Sequence, residues 1–92
     1  MSSRVDDSAL QRLIDQLATD AQQTLAAYEE AHAAKYERGK DLASQRLQGL
    51  RVALGRALAL QAGVPPEGVV TAFNRGRDYQ DRLVAPSVSG EA

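Results

Sequence analysis

Between Ser8 and Leu58 the apolar residues keep a single helical phase. Ile14, Leu25, Tyr36, Leu47 and Leu58 recur eleven residues apart, as do Leu10, Ala21, His32, Ala43 and Leu54. Leu17, Tyr28, Gly39 and Leu50 form a third row. Eleven residues are close to three turns of α-helix, so the rows merge into one stripe. The stripe predicts helix throughout, with one side that has to pack against something.

Ser8 followed by Gln11 has the spacing of a capping box, and Asp6 and Asp7 stand where the positive end of a helix dipole favours them. No glycine or proline interrupts the chain from Ser8 to Arg38, and Lys35, Arg38 and Lys40 gather at the end. A first helix over Ser8–Arg38 would be roughly 46 Å long. That exceeds the diameter of about 32 Å expected of a compact globule of this chain length. Gly39 leaves two readings open. It can be the left-handed C-cap of helix one, with Asp41 capping a second helix and the chain doubling back. It can equally be a tolerated glycine inside one long helix. The caps on either side favour the turn, and the unbroken phase favours continuity.

Residues 41–62 read as helix with Leu47, Leu50, Leu54 and Leu58 inward, and with Ala43, Gly49, Ala53 and Gly55 small enough for a neighbouring helix to come close. Arg46, Arg51 and Arg56 form a basic flank expected to pair with acids of helix one. Gly63-Val64-Pro65-Pro66 ends this helix, with Gly63 in the left-handed C′ position and Val64 at C″. A short third helix follows, with Glu67 in its first turn, an apolar side of Val69, Val70, Phe73 and Leu83, and Gly76 weakening its middle. Residues 1–7 and 85–92 read as disordered ends, which leaves 8–84 as a single helical domain.

Composition sharpens this picture in two respects. The chain of 92 residues is 43% hydrophobic but only 4% aromatic, and much of its apolar content is alanine, so a core spread along thin helices gains from assembly with another chain. Cysteine is absent, which removes disulfides, zinc–thiolate sites and thiol nucleophiles. A formal net charge of −1 gives no overall attraction to nucleic acid or anionic membrane. With no apolar run of signal-peptide or membrane-spanning length, the expectation is a soluble cytoplasmic protein.

Candidate chemistry is sparse. Leu58-Ala59-Leu60-Gln61-Ala62-Gly63-Val64, continuing to Val69 and Asn74, resembles the helix-turn-helix of LacI-type repressors, which carry Val-Ala-x-x-Ala-Gly-Val before a short turn and a second helix. The resemblance implies a small residue at Ala59 for close helix crossing and a turn at Gly63. It further implies a second helix that offers Thr71, Asn74, Arg75 and Arg77 to a DNA groove. In that segment Arg75, Arg77 and Arg82 are opposed by Asp78 and Asp81, and a near-neutral face has few cations for phosphate. Glu29-x-x-His32 has the spacing used in di-iron helical bundles, yet residues 42–62 supply no carboxylate to complete such a site. His32 reads instead as a helix contact with mild pH sensitivity, and Glu29 as solvated. The other acids, Asp15, Asp20, Glu30 and Glu37, read as a solvated helix face. No phosphate-cradling glycine loop and no second histidine for a relay are present.

The reading is therefore all-α: a long helical hairpin, or one long helix, plus a short third helix, packed in a homo-oligomeric bundle. The expected function is non-catalytic: self-association and interaction with another protein, with no cofactor, metal or membrane. The partner interface is expected at Leu17, Leu25, Tyr28, His32, Tyr36, Leu47, Leu50 and Leu54. A small DNA-binding regulator using Thr71, Asn74, Arg75 and Arg77 is the alternative.

Overall fold

A computed structural model describes residues 7–84, which form three α-helices: α1 (Asp7–Ala33), α2 (Glu37–Ala62) and α3 (Val69–Val84). No strand occurs among the described residues. Asp7, expected in a disordered end, opens α1; the remainder of that segment and residues 85–92 lie outside the described residues. Because α1 begins at Asp7, Ser8 falls within its first turn. The Gln11 amide donates to Asp15 at 2.9 Å and accepts from Gln61 of α2 at 2.7 Å, so it ties two helices together.

The chain does turn back after α1, but not at Gly39. The turn is Ala34-Lys35-Tyr36, and Lys35 holds a left-handed φ of 59°. The Lys35 N–H donates to the His32 carbonyl at 3.1 Å and the Tyr36 N–H to the Ala31 carbonyl at 2.8 Å. These two bonds define a Schellman cap, which satisfies carbonyls that the helix end leaves unpaired. The end of α2 repeats it: Gly63 at φ 74° donates to Leu60 at 3.1 Å, and Val64 donates to Ala59 at 2.8 Å, as the sequence predicts. Gly39 sits instead in the first turns of α2, under the Tyr36 ring; a Cβ there would lie 2.5 Å from Tyr36 Cδ2.

α1 and α2 run antiparallel. Their shared core is Leu10, Ile14, Ala18, Leu54 and Ala57, with Leu17, Leu58 and Tyr79 packed against it. Ile14 and Leu54 are fully buried, and each contributes about 1.5–3 kcal/mol by leaving water. The alanines among them bring the helices close but add little buried area, so the core is thin. A radius of gyration of 15.0 Å, against about 12 Å for a compact chain of this length, expresses the same elongation.

α3 lies along α2 and barely touches α1. Its buried face is not the expected Val69, Val70 and Leu83, all of which are exposed; it is Ala72, Gly76 and Gln80. Backbone-to-backbone packing explains the difference. A Cβ on Gly55 would stand 1.8 Å from the Ala72 carbonyl oxygen, and one on Gly76 would stand 2.1 Å from that of Arg51. The two approaches are four residues apart on each helix, which aligns α3 antiparallel to α2 over that turn. Large apolar residues would hold the helices too far apart for such contact.

Candidate functional site

A polar node fixes where α3 sits. Gln80, 1% exposed, accepts from Arg51 Nε at 2.7 Å and donates to Gln22, so one buried amide links all three helices. The Arg51 guanidinium lies 5.6 Å from the centroid of the Phe73 ring, with Arg77 at 6.0 Å from the same ring. Burial lowers the Arg51 pKa most; nearby Asp81 opposes this and Arg77 adds to it. Arg51 thus serves internal packing. Among the described residues, Arg46 and Arg56 make no ion pair with α1 acids.

With α3 on one side of the α1–α2 pair, the opposite side is left open. On α2 this open strip is Leu42, Arg46, Gly49, Ala53, Arg56 and Leu60, all exposed, in a four–three–four–three–four spacing. That spacing is the seam of a coiled coil and keeps to one side of a helix. Leu42 and Leu60 are 60% and 58% exposed. Leu13 of α1, about half exposed, and the half-buried Leu17 and Leu50 lie between or beside them. Near the turn, a groove of about 440 Å³ runs between the two helices, lined by Thr24, Ala27, Tyr36, Leu42 and Arg46 among others.

The expected interface residues divide into three groups. Leu47 and Leu54 are buried within the chain's own core. Leu17, Leu25, Tyr28 and Leu50 are half-buried, and His32 and Tyr36 are exposed. His32 stacks on Tyr28 one turn earlier, with ring planes 3° apart and centroids 6.2 Å apart. Glu29 is exposed, and no group of three or more metal-ligating side chains assembles among the described residues. The exposed Leu13, Leu42 and Leu60 were not among the expected interface residues, although the seam spacing on α2 was available to signal Leu42 and Leu60.

On α3, Thr71, Asn74, Arg75, Asp78 and Arg82 line one shallow groove, whereas Arg77 stands apart beside Phe73. Glu67 is not in the first turn of α3 but in the connection before it, because the helix starts at Val69. Its carboxylate accepts from Arg75 Nε and Nη2 at 2.7–3.0 Å. The hydrogen bond first, and the charge second, raise the Arg75 pKa. Arg75 is thereby committed within the chain. No helix among the described residues is long and apolar enough to cross a membrane. Compared with known proteins, the chain matches no family model, no curated protein and no solved structure.

Proposed function

We propose that this chain is a non-catalytic helical assembly module, which self-associates and presents a helical surface to other proteins. The observation that carries the reading is the open side of the α1–α2 pair, where Leu13, Leu42 and Leu60 are exposed at helical spacing. A reducing, cytoplasmic setting belongs to the same proposal, since the chain has no cysteine.

Duplex DNA reading by α3 has weaker support. Arg75 is neutralised by Glu67, Asp78 shares the groove with Arg82, and α3 runs back along α2. In a helix-turn-helix the second helix crosses at about 90–120°.

Light scattering after size exclusion, over a hundredfold range of concentration, tests the proposal. The expected result is a mass above that of one chain, which falls to the monomer value in Leu42→Glu. A monomer at every concentration refutes self-association. A gel shift that weakens steeply as salt rises would favour the DNA reading instead.

A further inference from the structure

We infer that the notch between α3 and the turn-side half of the α1–α2 pair binds a carboxylate borne on a small apolar group, held by the terminal nitrogens of Arg51. The acid can be a free small molecule or the last residue of a peptide, since both present the same group. The site is independent of the self-association proposed above.

All three helices contribute to this cavity of about 250 Å³. Leu25 of α1 and Leu47 of α2 give it apolar lining, and Phe73 of α3 adds a ring. A cavity of about 150 Å³ already takes a benzene molecule, so there is room for a ring or a branched aliphatic group with a carboxylate attached. No acidic side chain lines the space. An apolar pocket into which a few polar groups converge is the usual form of a small-ligand site.

Four polar side chains meet there: Tyr28, Ser44, Gln48 and Arg51. Among the described residues, the Tyr28 and Ser44 hydroxyls and the Gln48 amide make no hydrogen bond. Arg51 is committed through Nε alone, which donates to Gln80 at 2.7 Å. That bond fixes the guanidinium and leaves its terminal nitrogens unbonded. A guanidinium held in this way offers a carboxylate paired donors in a set plane, and the hydroxyls and amide add single donors around it.

Charge favours an anion at this place. Arg51 and Arg77 are held against one ring, at 5.6 Å and 6.0 Å from the Phe73 centroid, so two like charges share a small space. Partial burial works against the Arg51 charge and Arg77 adds to this; Asp81 opposes both, from beyond ion-pair distance. Arg77 has its own partner in Asp78, at 3.4 Å in an exposed pair. A carboxylate against Arg51 relieves the repulsion and replaces the water that burial removes. The apolar lining suits one negative charge better than the double charge of a phosphate, which costs more to desolvate.

Heteronuclear NMR on the isotope-labelled full chain, titrated with phenylacetate, neutral phenylacetamide, N-acetylphenylalanine and inorganic phosphate, tests the site. Phenylacetate is expected to shift the amide signals of Ser44, Gln48, Arg51 and Phe73 with a dissociation constant on the order of 1 mM. Phenylacetamide is expected to bind at least about fivefold more weakly. Arg51 also holds Gln80, so the informative variant is Gln48→Glu, at an exposed position where the new carboxylate competes for Arg51. It should weaken phenylacetate at least about fivefold and leave helicity and melting unchanged. Tighter binding of N-acetylphenylalanine than of phenylacetate supports a peptide C-terminus as the source, and the reverse supports a free acid. The inference is overturned by the absence of localised shifts with either acid up to about 20 mM, by equal binding of the amide, by tighter binding of phosphate, or by a Gln48→Glu protein that binds like wild type. None of these results touches the self-association reading.

Discussion

The Gly55 contact offers the sharpest test of how α3 is held. In Gly55→Ala the added Cβ would lie 1.8 Å from the Ala72 carbonyl oxygen, which belongs to backbone and cannot rotate aside. Ordinary separation at a van der Waals contact requires α2 and α3 to part by roughly 1.5 Å. A radial gap of 0.5–1 Å already forfeits about a quarter to a half of each contact's dispersion energy. Overpacking of this kind costs about 1–3 kcal/mol, and rigid backbone on the opposing side puts Gly55→Ala at the upper end. Against this, alanine gains about 1 kcal/mol in helix propensity. The net is a loss of about 2 kcal/mol, or roughly 10 °C in melting temperature for a domain of this size. Gly49→Ala is the matched control in the same helix: nothing lies within 4 Å of its Cβ, so the propensity gain should raise the melting temperature by about 4 °C. Thermal and urea unfolding followed by circular dichroism at 222 nm, on dilute protein, reads both. Equal shifts in the two variants, or a Gly55→Ala protein as stable as wild type, would refute the close backbone crossing.

Three further outcomes follow from the packing. Gln80→Leu removes the acceptor of Arg51 Nε and the donor to Gln22, and the stranded polar groups should cost about 1–3 kcal/mol in urea unfolding; an unchanged midpoint would mean that the node does not hold α3. Ile14→Ala, at a fully buried site, should lose about 2–5 kcal/mol and leave a chain with so thin a core largely unfolded at 37 °C by circular dichroism. Lys35→Gly relieves a left-handed lysine and should stabilise the turn by up to about 1 kcal/mol, seen as a higher urea midpoint; a lower midpoint would argue against that backbone conformation.

The two helix ends show where sequence reasoning reached and where it stopped. Both carry the same Schellman hydrogen bonds, one around Gly63 and one around Lys35. Gly63 was legible because glycine enters the left-handed region without steric cost and two prolines follow it. Lys35 was not: a lysine there is locally disfavoured, and the chain accepts it so that Leu47, Leu54 and Ala57 can return onto Leu10, Ile14 and Ala18. Gly39 drew the expected turn away from its true place because a glycine near a helix end usually marks one. The structure uses it to seat the Tyr36 ring.

By itself the sequence determined the helical character, the apolar stripe that supplies Ile14, Leu47 and Leu54 to the core, and the stop at Gly63. These depend on propensity, 3.6-residue periodicity and the conformational freedom of glycine, all properties of short stretches of chain. Only the tertiary structure decided which side of each helix became interior. Val69, Val70 and Leu83 look like the packing side of α3, but helix against helix at backbone distance selected Ala72, Gly76 and Gln80. The expected interface leucines were separated in the same way, Leu47 and Leu54 into the core and Leu17, Leu25 and Leu50 half-buried at its edge. One helix can be amphipathic in several directions, and the direction that counts is set by where its neighbours come to rest.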